Sequence, residues 1–181
     1  MTDEAIMQLI QKGQLDKISE LYERYHLMVY NYFVKLSGDR DTSKDLVQNT
    51  FLRIIKYHGS FKESSTFKNW LFQIARNIYY DHYKEVKLVN NQNVGVENLF
   101  NLADEVEEGG DQKESILYAA LSKMSREDRE ILILSKFQKY KYQDIGKILT
   151  CSENTVKARV FRAIKKLKQH YFEMEKLSYG N

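Results

Sequence analysis

With 181 residues, 43% hydrophobic and 29% charged, 8 glycines and no proline, the chain has the composition of a folded, helix-rich protein of one or two small domains. No apolar run approaches the ~20 residues that cross a bilayer, the Met1-Thr2-Asp3-Glu4 start lacks the basic residues of a signal peptide, and a lone Cys151 excludes an internal disulfide or a CxxC zinc site, which together predict a cytoplasmic protein with no metal or other cofactor. The net charge of +3 conceals a division: residues 97–111 carry 6 acidic and no basic side chains, and residues 112–181 carry 15 basic against 8 acidic, so a polyanion would bind the C-terminal block.

A short helix is expected before Gly13. Apolar residues then recur at three-and-four spacing from Ile18 through Leu21, Tyr22, Tyr25, Met28, Val29, Tyr32 and Phe33 to Leu36, one face of a long helix with Gly38 as its C-cap. Thr42-x-x-Asp45 resembles a capping box for a second long helix that buries Val47, Phe51, Ile54 and Ile55. A polar loop from about His58 to Ser65 precedes a third helix from about Thr66 to Lys84, with Trp70, Leu71, Ile74 and Ile78 inward and Phe67 and Trp70 read as core.

Periodicity fades from Lys87 to Gln112, where Asn90-Asn91-Gln92-Asn93, Gly109-Gly110 and acidic residues including Glu105, Glu107 and Glu108 accumulate. This reads as a flexible acidic linker, either a solvated tether or an anionic segment that imitates nucleic acid. Helical spacing returns with Ile116, Leu117, Ala120, Leu121 and Met124, and Ser125-x-x-Asp128 starts a helix carrying Ile131, Leu132, Leu134 and Phe137. Tyr142, Ile145, Ile148 and Leu149 form one apolar face, Thr150-Cys151 is a tight break, and Ser152 can N-cap a last helix. The whole is an all-α fold of two small bundles.

In that last helix Val156, Val160, Ala163, Ile164 and Leu167 share the inward side. Asn154, Ala158, Phe161 and Lys165 face outward, flanked by Lys157, Arg162 and Lys168. A basic stripe is often only the solvated side of an amphipathic helix. Here it follows a short helix and a tight turn, the helix-turn-helix arrangement, and an exposed Phe161 has no structural purpose on it. Arg can fork to guanine, Asn can pair with adenine, an aromatic edge can touch a thymine methyl, and Lys can hold phosphates. Asn154, Thr155, Lys157, Ala158, Arg159, Phe161, Arg162 and Lys165 are therefore the expected DNA-reading residues.

The stretch Tyr142–Leu167 (YQDIGKILTCSENTVKARVFRAIKKL) closely resembles the fourth sigma domain of extracytoplasmic-function sigma factors, which reads the upstream promoter element. Asp45–Arg53 (DLVQNTFLR) is similar to the part of the second sigma domain that docks on the polymerase clamp helices. Phe61–Lys84 (FKESSTFKNWLFQIARNIYYDHYK) is similar to the part that opens and reads the downstream element. The resemblance implies polymerase contacts from Asp45, Gln48, Asn49, Leu52 and Arg53. It implies downstream-element contacts from Phe61, Lys62, Ser64, Ser65, Thr66, Lys68, Arg76, Asn77 and Lys84, with Phe61 as an aromatic surface for an extruded base.

The domains would then be 1–86, a linker over 87–112 with no third sigma domain, and 113–181. The partners would be core RNA polymerase, promoter DNA and an anti-sigma protein, soluble or membrane-anchored. The chain departs from the family pattern at Asn49 (usually Glu), Met124-Ser125 (often Leu-Pro) and Thr150 (frequently Gly). The sequence holds no P-loop and no nucleophile elbow, so a binding protein rather than an enzyme is expected. A simple repressor or activator with an N-terminal ligand or dimerisation domain is the alternative, as is a helical adaptor with a basic tail. The first of these requires a palindromic operator.

Overall fold

A computed structural model describes residues 1–89 and 112–179, without the side chains of Lys87, Val89 and Tyr179. Among the described residues all regular structure is helical: α1 (Asp3–Gln11), α2 (Ile18–Ser37), α3 (Arg40–Tyr57), α4 (Phe67–Val89), α5 (Gln112–Ser122), α6 (Arg126–Leu132), α7 (Tyr142–Leu149) and α8 (Glu153–Tyr179). The described residues fall into two compact units, 1–33 with 41–89 and 34–40 with 112–179. The acidic residues from Glu97 to Asp111 lie outside the described residues.

In the first unit, aromatic rings knit the helices together. Tyr32 of α2 meets Phe72 of α4 at 5.3 Å, Tyr25 meets Phe67 at 5.4 Å, and Tyr22 meets Phe51 of α3 at 4.9 Å. Tyr32, Phe33, Phe67 and Phe72 are completely buried, so these edge-to-face pairs add to a large apolar burial. α1 packs Ile6, Met7 and Ile10 inward, and Asp3 ties it to α2 through Arg24 at 2.7 Å and the Tyr25 hydroxyl. Burial and the Asp3 hydrogen bond push the Tyr25 phenol above its ordinary pKa, so this hydroxyl stays a donor throughout the working pH range.

The helix ends follow local chemistry. Gly38 adopts φ +72°, and its N–H closes α2 on Val34 O at 2.9 Å, as its C-cap reading requires. α3 begins at Arg40, so Thr42-x-x-Asp45 lies inside its first turns and does not cap it. α4 continues to Val89, beyond the Lys84 limit that sequence periodicity suggested.

In the second unit α8 packs along α5, α6 and α7. Ser125 Oγ accepts from Asp128 N at 3.2 Å, so serine supplies a cap at the position where the family often has proline. α6 runs into a π-helical turn, Ile133–Phe137, before α7. The turn between α7 and α8 folds back so closely on α7 that a Cβ on Gly146 would lie 2.6 Å from Cys151 O. Between them Thr150 is left-handed at φ +56°, a conformation that is strained for a β-branched residue. Thr150→Gly relieves that strain and should stabilise the full chain by about 1 kcal/mol, after allowance for the greater freedom of glycine when unfolded. Chemical denaturation checks this.

Candidate nucleic-acid and docking surfaces

Ser152 starts α8: its Oγ accepts from Thr155 N at 3.1 Å and lies 2.8 Å from Thr155 Oγ1. Val156, Val160 and Ala163 are buried beneath the helix. Asn154, Lys157, Ala158, Phe161, Arg162 and Lys165 are exposed, and Phe161 keeps 73% of its surface. Thr155 is occupied by the cap, and Arg159 lies half-buried on the flank of that face. Lys139 and Lys141 are also exposed, just before α7, the helix that crosses the DNA backbone in this arrangement. Two lysines in a non-periodic connection carry no sequence signal that singles them out.

In the first unit the stretch after α3 turns through His58–Ser60 into the polar loop that ends at α4. Lys62, Ser64 and Thr66 are exposed and Ser65 is half-buried. Phe61 is not an exposed aromatic: only 5% of it is accessible, because its ring packs on Trp70 at 5.3 Å and Phe67 at 6.4 Å. Its role is to anchor the loop from below. Trp70, read as core, is only half-buried and lies on the same side of α4 as Asn77.

Along α4, a 100° step per residue places Thr66, Gln73, Asn77, Tyr80 and Lys84 within about 60° of arc, with Arg76 at the edge. Asn77 and Lys84 are exposed, and the Arg76 guanidinium stacks on the Tyr80 ring at 4.6 Å. Lys68 falls on another side of the helix and is half-buried, so the structure separates it from this group. Tyr80 is a member the sequence did not reveal, since one tyrosine among several in an aromatic-rich helix carries no mark of exposure.

The outer side of α3 forms the third surface. Leu46, Val47, Phe51 and Ile54 point into the core, whereas Asp45, Gln48, Asn49 and Leu52 are exposed, Leu52 by 62%. Leu52, Asn49 and Tyr57 border a cleft of about 310 Å³ whose other wall is Ile78, Asp81 and His82 of α4. Arg53 spans it to Asp81 at 3.1 Å. An apolar anchor beside a polar, charge-paired rim is the anatomy of a protein–protein contact. Asp81 and His82 acquire this place from the packing of α4 against α3.

Residues 21–87 match the model of "Sigma-70 region 2" and residues 114–167 that of "Sigma-70, region 4". The ECF RNA polymerase sigma factor SigM of Bacillus subtilis is 30% identical, over 85% of this chain and 94% of its own. SigX of the same organism, also an ECF RNA polymerase sigma factor, is 29% identical over 83% and 81%. Among solved structures, the sigma factor RpoE of Bartonella quintana, in complex with the anti-sigma factor NepR, superimposes with a TM-score of 0.69 at 25% identity, covering 84% of this chain and 94% of that one.

Proposed function

The chain belongs to the sigma-70 family as an extracytoplasmic-function sigma factor, directing promoter-specific initiation by RNA polymerase, and on that premise we propose which of its surfaces carry each step. Residues 1–86 act as the second sigma domain and 113–181 as the fourth, joined through 87–112. The outward side of α3, centred on Leu52, docks on the polymerase. The loop of Lys62, Ser64, Ser65 and Thr66, together with Arg76, Asn77, Tyr80 and Lys84, reads and captures the downstream element as its strands part. Asn154, Lys157, Phe161, Arg162 and Lys165 of α8 read the upstream element in the major groove.

These steps need only binding. Unpairing a base costs a few kcal/mol, which stacking and backbone contacts to the extruded strand offset in part. The function therefore requires no nucleophile, metal or nucleotide. The likeness to a sigma factor solved with its anti-sigma factor supports an anti-sigma protein as a further partner of this chain.

The observation that carries the DNA-reading assignment is the exposure of Phe161 on α8 amid Lys157, Arg162 and Lys165, opposite the buried Val156, Val160 and Ala163. An aromatic ring held in water among cations has its use in a groove. Arg162→Ala should weaken binding to duplex carrying the cognate upstream element by about 1–3 kcal/mol and relax sequence preference at one position. Fluorescence anisotropy against cognate and scrambled duplexes measures both. Equal weakening on the two would assign Arg162 to phosphate instead.

A further inference from the structure

α1 lies outside the segment that matches the region 2 model, which begins at residue 21. Its buried side, Ile6, Met7 and Ile10, accounts for its packing. It does not account for a second stripe. Glu4, Gln8 and Gln11 follow one another at helical spacing, within about 60° of arc, and reach the loop between α3 and α4 and the first residue of α4 that closes it. Gln11 Nε2 donates to both His58 O and Phe61 O, each at 3.0 Å, so one amide clamps both ends of the turn that opens the loop. Glu4 Oε1 accepts from Phe67 N at 3.1 Å, a cap on the first turn of α4 contributed from a distant helix. Gln8 Nε2 donates to Glu63 Oε1 at 2.9 Å in the middle of the loop.

We propose that α1 is a splint for the downstream-element loop, with Gln11 and Glu4 as positioning residues that hold Lys62, Ser64, Ser65 and Thr66 in the base-capturing shape before DNA arrives. The inference rests on the assignment of that loop made above. The loop's other ties are local: Ser65 N on Lys62 O at 2.9 Å, Phe61 N on His58 O at 3.2 Å, Asn69 N on Thr66 Oγ1 at 3.3 Å, the Ser60 hydroxyl on Tyr57 O at 2.8 Å, and the buried Phe61 ring. A loop that must be ordered at the moment of binding loses affinity to the entropy of ordering, and a loop ordered beforehand does not. Because the base is read by short hydroxyl groups, a shift of the loop removes discrimination before it removes contact.

The test uses full-length protein assembled with core polymerase. Gln11→Glu keeps the size of the side chain but sets an acceptor against two carbonyl acceptors. Glu4→Ala removes the cap and leaves Gln11 intact. Holoenzymes are assayed on single-stranded oligonucleotides bearing the downstream element and on the same oligonucleotides with one base changed.

Each variant should lower the ratio of cognate to altered affinity by about tenfold. Polymerase capture and binding of upstream-element duplex should remain at the wild-type level, and Glu4→Gln, which retains an acceptor for Phe67 N, should restore the ratio. An unchanged ratio overturns the proposal, as does a loss of polymerase capture or upstream binding in parallel with it, since general unfolding would produce that. Lys62→Ala with Ser64→Ala, both exposed and outside the α4 cap, separates the two levels. If this pair abolishes discrimination while Gln11→Glu does not, the splint fails and the loop assignment stands; if the pair has no effect, the loop assignment fails and the splint with it.

Discussion

Leu52→Glu should abolish capture of core RNA polymerase while leaving the helical circular dichroism and binding to upstream-element DNA unchanged. Leu52 is 62% exposed on α3, outside the core formed by Leu46, Val47, Phe51 and Ile54, so the substitution creates neither a cavity nor a buried charge in the free protein. In the docked state the same position would be desolvated between the polymerase and the cleft that Tyr57, Ile78 and His82 complete. Loss of a central apolar anchor costs ~2 kcal/mol or more, and forcing an unpaired carboxylate into its place adds to that. The combined effect, at least ~3 kcal/mol, is a fall of more than a hundredfold in affinity. Co-purification with tagged core polymerase, alongside a DNA-binding control, reads it directly. Capture at the wild-type level would remove α3 as the docking surface.

The second large effect concerns stability. Arg129 is buried, and its guanidinium satisfies the corner between α5 and α6: Nε donates to Leu121 O at 2.9 Å, and Nη2 to Met124 O at 3.1 Å and Ser122 O at 3.3 Å. The last carbonyls of a helix have no partner within it, and here one side chain supplies several of the missing donors. Arg129→Met keeps much of the volume and removes every donor. Leu121 O keeps Met124 N as a donor at 3.1 Å, whereas Met124 O, Ser122 O and Leu36 O, the last bonded by Nη1 at 2.8 Å, lose the arginine; each buried acceptor left without a partner costs about 1–3 kcal/mol, so a loss of about 3–5 kcal/mol is expected. That is a large fraction of the ~5–15 kcal/mol by which domains are stable. The lone Trp70 belongs to the first unit, so its fluorescence and the circular dichroism of the whole chain separate the two units in urea. The variant should lose part of its helical signal at lower urea than the Trp70 transition, and lose upstream-element binding with it. Unfolding that coincides with wild type would show that the corner does not need these bonds.

Much of the architecture is legible in the sequence because it is local. The 3.6-residue spacing of Leu21, Val29, Phe33 and Leu36 marks α2, Gly38 ends it, and Ser125 and Ser152 cap the helices they precede. The outward direction of Leu52 and Phe161 follows from the same 100° step and is met in the structure. What the sequence conceals depends on elements distant in the chain. Phe61 stands in a polar loop with no period to reveal its burial, which comes from distant residues such as Phe67 and Trp70, placed against it by α4. Lys68 sits among the downstream-element residues in sequence yet on another side of α4. The cleft beside Leu52 needs α3 and α4 side by side before Tyr57, Asp81 and His82 join it. The polar stripe of α1 is hidden for a further reason: two of its side chains bond backbone groups of the loop, and backbone groups leave no signature in residue identity.

We propose that the chain confers promoter selection on RNA polymerase through two separate DNA-reading surfaces and one docking surface. Run-off transcription with purified core polymerase, on a pool of promoter fragments from the native genome, tests it most directly. Addition of the wild-type chain should produce discrete transcripts from a small set of fragments sharing one upstream and one downstream element, and the Leu52→Glu chain should produce none. Absence of any new start site with the wild-type chain, together with binding to a palindromic duplex as a dimer, would contradict the account and assign the helix-turn-helix to an ordinary regulator.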